Sequence, residues 1–264
     1  MGTAQGTAGA QGELWGARAR DWADYQEGQS AALYREAIVR IGIGEGTRVL
    51  DVGCASGVFA ALAADAGARV SGIDAARASI DIARQRVPGG DFRVGDLQFL
   101  PYDDDTFDAV TAFNAIQYAA DTRAAAAEAK RVAKPGAPVF TLVWGREDRT
   151  ELVAILRALR PLLPPPPPGA PGPFALSTEG ALEAVLQGGG LHIKDTGYLE
   201  TAFEYPDEET YVRANLASGP ATLAIRTSGE DAVRQALLHA AAPFRGAAGG
   251  YRIESEWRYA LAVA

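Results

Sequence analysis

One cysteine, two histidines and a shortage of basic side chains set the first limits on this 264-residue chain. A single cysteine cannot form an intrachain disulfide, so nothing requires an oxidising compartment. Lysine and arginine number 25 against 33 acidic residues, for a net charge of −8. Binding to a phosphate backbone depends on clustered cations that release counterions, so nucleic acid is excluded as the expected partner. No apolar run reaches the roughly 18 residues that a membrane helix needs, and the N-terminal stretch MGTAQGTAGAQGE has neither a basic nor an apolar leader segment. The expectation is a soluble, cytoplasmic protein with no membrane partner and a flexible tail over residues 1–12. Its 48% hydrophobic and 22% charged content suits a sizeable core.

The scarcity of histidine also limits the chemistry. His192 alternates with Leu191 and Ile193 in a strand-like run, and His239 lies off the Val233, Ala236, Leu237, Ala240 helical stripe. Both are expected at the surface, and no Ser-His-Asp arrangement can be assembled from them. The adjacent carboxylates Asp103, Asp104 and Asp105 lack a histidine at ligand spacing, so no metal site is expected. Cys54 reads as a small buried apolar residue.

What the chain does have is the stretch RVLDVGCASG, Arg48 to Gly57. Val49, Leu50 and Val52 form a buried strand that enters a glycine turn, and Val58, Phe59, Leu62 and Ala63 then recur at helical spacing. Strand, turn and helix N-terminus together offer backbone N–H groups to a ligand. The dinucleotide pattern G-x-G-x-x-G fails here, because Ala55 and Val58 stand where glycines are needed. A P-loop fails too, since Gly57 is not followed by Lys-Ser or Lys-Thr. Asp51, two positions before Gly53, instead suits a ligand with its own positive charge.

In its order Asp51-x-Gly53-x-Ala55-x-Gly57 the segment resembles the class I S-adenosylmethionine-dependent methyltransferases, of the small-molecule, type 11-like kind. Asp74 ends a second strand 21 positions beyond Gly53, where doubly wound folds bond a ribose diol. Asp91 to Val94, followed by Gly95-Asp96-Leu97, gives a third strand; FDAVTAFNAIQY a fourth; and RVAKPGAPVFTLVWG a helix, a turn and a fifth, so the resemblance covers residues 47–145. It implies an α/β fold: a doubly wound, mostly parallel seven-stranded sheet with an antiparallel last strand, helices on both faces and a helical lid insertion. It further implies S-adenosylmethionine as cofactor and S-adenosylhomocysteine as product. Asp74, with Ala75 beside it, would hold the ribose; Asp96 and Leu97 the adenine; Gly53, Ala55 and Gly57 would admit the methionine half. Asp51 would order that turn or meet the ammonium group. Asn114, Gln117, Tyr118 and Trp144 would line the acceptor site, Asn114 also beside the methionine end, with aromatic faces such as Tyr118 or Trp144 near the sulfonium.

Around this core, Trp15, Ala19, Trp22 and Gln26 share one side of an expected helix over residues 13–26, and the resemblance places such a helix over the cofactor, with Trp22 or Tyr25 closing the pocket. Residues 13–145 then comprise the N-terminal helices and the binding core, and residues 146–264 the remainder of the same domain. Within that remainder a proline-rich segment, residues 161–173, is expected as a stiff strut. Ser177 or Thr178 should cap a helix that runs to Gln187. Residues 206–244 are expected to form a lid of two helices, the second opening on a Ser228-x-x-Asp231 capping box, before a final strand from Tyr251. The expected activity is SN2 transfer of a methyl group to oxygen, nitrogen or carbon of a small molecule, EC 2.1.1 in type, by a monomer or homodimer. The alternatives are an S-adenosylmethionine-binding protein that does not methylate and a nicotinamide oxidoreductase.

Overall fold

In the computed structural model, which describes residues 6–166 and 172–264, five strands run parallel: β1 (Arg48–Val52), β2 (Arg69–Asp74), β3 (Asp91–Val94), β4 (Ala109–Phe113) and β5 (Pro138–Trp144). β6 (His192–Tyr205) and β7 (Tyr251–Val263) complete a seven-stranded sheet ordered β3-β2-β1-β4-β5-β7-β6, with β7 antiparallel to both neighbours. β1 reads as a continuous apolar run because it is central and covered on both faces. Its residues divide by parity: Val49 packs with Phe59 and Ile80 on one face, while Leu50 and Val52 pack with Val110 and Leu186 on the other. Chain order reverses direction between β1 and β4, so a crevice opens beyond their carboxyl ends, where open α/β sheets bind ligands.

The N-terminal region departs from expectation. α1 (Ala8–Gly16) is helical where a flexible tail was expected through residue 12; residues 1–5 lie outside the described residues. α1 is followed by a break, α2 (Ala19–Asp21), a π-helical turn at Trp22–Gln26 and a 3-10 turn at Glu27–Ser30, rather than one helix over residues 13–26. A continuous helix would space Trp15 and Trp22 about 10 Å apart along its axis. The break brings their rings edge to face at 5.0 Å. α3 (Ala31–Ile41) ends at Gly42, whose φ of +75° suits glycine. It packs with α4 (Val58–Asp65) and α5 (Arg77–Arg86) over the Val49 face.

α6 (Thr122–Val132) is capped by Asp121, whose carboxylate accepts from the Arg123 and Ala124 amides. α7 (Val153–Leu159) follows β5, and α8 (Ala181–Gly188) packs with α6 on the Leu50 face. α8 starts after Gly180 with no side-chain cap. The Ser177 hydroxyl, expected as a candidate cap, donates instead to the Trp144 carbonyl at 2.6 Å and fastens this loop to the end of β5. Of the proline-rich segment, residues 167–171 lie outside the described residues.

β6 and β7 pair from His192–Val263 to Tyr205–Tyr251, whereas β5 meets β7 only from Pro138–Val263 to Trp144–Trp257. The surplus forms a two-stranded ribbon beyond the carboxyl edge of the sheet. From its tip spring α9 (Glu208–Leu216), α10 (Gly219–Ser228) and α11 (Glu230–Ala241). The lid thus has three helices, not two. Ser228 ends α10 rather than capping α11, because Gly229, at φ +85°, turns the chain between them. Tyr211 of α9 stacks on Tyr251 at 4.7 Å, and Arg213–Asp21 and Arg18–Glu230 ion pairs, each 2.6 Å, join the lid to the N-terminal segment.

Candidate functional site

The glycine turn owes its shape to three left-handed residues: Gly53 (φ +79°), Ala55 (+45°) and Gly57 (+80°). A Cβ on Gly53 would collide with the Cβ of Ala115, and one on Gly57 would approach that of Ala83 at 3.0 Å. Ala55 adopts the left-handed region despite its methyl group, at a cost of about 1 kcal/mol. The turn is braced from one side by Asp74, which accepts from the Ala55 amide at 3.0 Å and the Ala76 amide at 2.8 Å. From the other side comes Glu27, a residue the sequence reading did not single out.

Glu27 is 3% exposed. Its carboxylate accepts from the Ser56 amide at 3.0 Å and the Val58 amide at 2.9 Å, and from the Ser56 hydroxyl. Arg86 stands 3.9 Å away and donates to the Ser56 carbonyl. The N-terminus of α4, expected to present free N–H groups to a ligand, is therefore already filled by a carboxylate of the chain itself.

Over this turn lies a cavity of about 570 Å³. Asp51, Gly53, Ala55, Asp74 and Ala75 line it on one side. Asp96 and Leu97 extend that wall, and Asn114, Gln117, Tyr118, Trp144 and Trp22 complete the set of expected residues found there. Gly57 is the exception: it sits behind the turn against Ala83 and acts through backbone shape. α1 covers the Asp96 end, where the Thr7 hydroxyl donates to the Tyr118 carbonyl and Trp15 meets the Tyr118 ring at 5.7 Å. Asn114 holds φ +50° at the exit of β4, and the Gln117 amide donates to its side-chain oxygen.

The wall divides chemically. Its acidic half gathers Glu27, Asp51, Asp74 and Asp96. Burial pushes the Asp51 carboxyl up to about 8, against the opposing pull of a 2.8 Å hydrogen bond from Thr111, with Glu27 and Asp74 adding repulsion. Burial likewise raises Glu27 and Asp74. A cationic ligand group would favour the ionised form of all three. The other half is built by β5, α7, β6 and β7: Leu142, Leu152, Ile155, Leu159, Phe203 and Trp257, with Trp144 stacked on Trp257 at 4.5 Å. No lysine, arginine or histidine side chain lines the cavity among the described residues. Burial pushes Tyr118 up to about 12 and raises Tyr34 as well, so neither supplies a base near neutral pH. The Cys54 thiol is also raised by burial, in keeping with a structural cysteine. His192 and His239 are both exposed, and Asp104 pairs with Arg131 at 2.7 Å.

Glu27, Trp15 and Trp257 were absent from the expected site. Glu27 falls just past the helix expected over residues 13–26, and Trp257 lies within the expected final strand, so only the fold brings either to the cavity.

Residues 50–141 match a protein family described as a methyltransferase domain. The malonyl-[acyl-carrier protein] O-methyltransferase of Serratia marcescens is 34% identical over 115 residues, 42% of this chain and 45% of that protein. The chain spans about half the length of the curated relatives it matches. Among solved structures, a putative methyltransferase of Haloferax volcanii, in complex with the Trm112 methyltransferase activator, superposes with a TM-score of 0.58 at 20% identity, covering 97% of each chain. The [4+2]-cyclase SpnF gives 0.55 at 21% identity, over 89% of this chain and 80% of that one. At those identities the likeness concerns the fold. No helix among the described residues is long and apolar enough to cross a membrane.

Proposed function

For a chain whose residues 50–141 carry a methyltransferase domain, we propose S-adenosylmethionine-dependent methylation of a small molecule. The observation that carries this reading is the Glu27 carboxylate on the N-terminus of α4. A dinucleotide would place its pyrophosphate at that helix end, where a buried carboxylate repels it. A sulfonium nucleoside has no phosphate to place there and carries positive charge toward Asp51 and Glu27. The nicotinamide alternative is disfavoured on the same ground.

The residues present fit such a ligand. Asp74, with Ala75 beside it, would hold the ribose, Asp96 and Leu97 the adenine, and Gly53 and Ala55 would give the methionine half close access to backbone. Gly57 would serve by keeping the turn in shape. Trp22 and Tyr118 would close the pocket with α1, and Asn114, Gln117 and Trp144 would face the acceptor. When bound, the sulfonium supplies an activated methyl group. The chain's contribution is alignment and exclusion of water, and alignment alone is worth up to about 7 to 11 kcal/mol in favourable systems. An electron pair of the acceptor atom would form the new bond as the carbon–sulfur bond breaks, with S-adenosylhomocysteine as the leaving group and any acceptor proton released to water.

The test is calorimetric titration with S-adenosylmethionine, S-adenosylhomocysteine and NAD. The two sulfur compounds should bind and NAD should not, and Asp74→Ala should weaken them by more than tenfold. Binding of NAD alone would overturn the cofactor reading; unchanged affinity in Asp74→Ala would remove the ribose assignment. A second reading, binding of S-adenosylmethionine without methyl transfer, is favoured by the absence of histidine and lysine from the cavity wall among the described residues and by the raised Tyr118 hydroxyl. Accumulation of S-adenosylhomocysteine with an acceptor would dismiss it.

A further inference from the structure

We propose that the acceptor is an electrically neutral, flat, ring-bearing molecule, and that this site rejects acceptors carrying a carboxylate or phosphate; the proposal rests on the function above. Asn114 and Gln117 line the cavity just past the exit of β4, the strand between β1 of the acidic half and β5 of the apolar half, and the reacting atoms would lie there. Beyond that point the wall is aromatic and aliphatic. The Trp144–Trp257 stack and Phe203 form a slab on one side, with Trp257 ring to ring with Phe203 at 6.2 Å, and Leu152, Ile155 and Leu159 face the same space from the neighbouring helix. Flat rings match such a slab through offset or edge contacts. Among the described residues the wall has no cation to receive an anion, while four carboxylates stand at its other end. An anionic acceptor would therefore lose its hydration without a partner, and any ionised member of the acidic set would repel it besides.

Polarity in this half is sparse and has a direction. Trp257 Nε1 and Gln117 Oε1 are buried in wall residues and have no hydrogen-bond partner among the described residues. One is a donor and the other an acceptor, so a ring hydroxyl, which both accepts and donates, offers each what it lacks after a small side-chain rotation, and a ring carbonyl can accept from Trp257 alone. A buried polar atom left unpaired costs about 1 to 3 kcal/mol, which gives such a substituent an advantage over a bare hydrocarbon.

The experiment measures binding of 2-naphthol, naphthalene and 6-hydroxy-2-naphthoate to the full chain by tryptophan fluorescence, with and without saturating S-adenosylhomocysteine. The expected order is 2-naphthol, then naphthalene, then the carboxylate, with at least about tenfold between first and last. Leu156→Arg, at a half-buried position in the wall, should erase or reverse that gap by giving the carboxylate a partner. Trp257→Phe should cut the preference for 2-naphthol over naphthalene by several-fold while naphthalene binding persists. Equal or tighter binding of 6-hydroxy-2-naphthoate to the parent protein, or no binding of 2-naphthol in either condition, overturns the proposal. Failure of S-adenosylhomocysteine to bind would count against the cofactor reading alone, because the acceptor comparison is also read in its absence.

Discussion

Glu27 offers the sharpest perturbation. Replacing it with alanine strips the N-terminus of α4 of the carboxylate that accepts from the Ser56 and Val58 amides and the Ser56 hydroxyl, and it leaves Arg86 without its acidic neighbour. Hydrogen bonds to a charged acceptor contribute about 1.5 to 3 kcal/mol each, and loss of a helix cap about 0.5 to 2. Part of that is returned, because burial of the carboxylate was itself costly enough to raise its pKa. A net loss of about 2 to 4 kcal/mol is expected, which lowers the midpoint of thermal unfolding by about 4 to 8 °C for a chain of this size. The same change creates a vacancy at a positive helix end with two unpaired amides, a ready anion site. Phosphate should therefore stabilise Glu27→Ala and leave the parent unmoved. Urea unfolding with and without 50-fold steps of phosphate reads both effects. An unchanged urea midpoint in the variant, or an equal response of parent and variant to phosphate, would refute the role assigned to this carboxylate.

Other expectations follow from the same turn and its acids. Asp51 is raised from the carboxylate range to about 8 in the folded chain, so the folded state binds a proton that the unfolded chain releases near 4. Stability should fall as pH rises from about 5 to 8 and then level, and Asp51→Asn should remove of order 2 to 4 kcal/mol of that slope in ligand-free unfolding curves. A parallel pH course in parent and variant would count against it. Gly53→Ala should destabilise by at least about 1 to 3 kcal/mol, since its new Cβ meets Ala115 and φ is +79°. Ala55→Gly, two positions on, should fall within about 0.5 kcal/mol of the parent, because relief of a left-handed alanine offsets the flexibility that glycine adds to the unfolded chain. Differential scanning calorimetry of the pair checks the contrast, and equal losses would sink it.

Much of the acidic half of the cavity was legible in the sequence because its residues are set by local spacing. Asp51 and Asp74 lie within the last two residues of parallel strands and Asp96 two residues past one, and parallel strands put their carboxyl ends on one edge. Asn114 is placed by the same rule at the exit of β4. The apolar half was not legible, because no local rule joins Trp144, Ile155, Phe203 and Trp257: the antiparallel pairing of β7 with β5 and β6 brings the three aromatics together, and the packing of α7 adds Ile155. Glu27 shows the same limit, reaching Ser56 across 29 residues from a 3-10 turn that follows a π-helical segment, neither of which any periodicity announces. The misplaced cap at Ser228 has a different cause. Ser-x-x-Asp is a sound helix opening, but Gly229 follows at once and its positive φ makes the serine an ending instead.

The ribbon of β6 and β7 has a consequence for how such a chain can diversify. Tyr205 and Tyr251, where the helical insertion leaves and rejoins the sheet, are paired strand partners, so the gap any inserted segment must span is fixed by the ribbon and independent of that segment. Lengthening a loop between fixed ends costs little, about 0.6 kcal/mol for each doubling. The three helices between them behave as a cassette: exchange at this doorway could refit the apolar half to a new ligand while Asp51, Asp74 and Asp96 stay where the parallel strands put them.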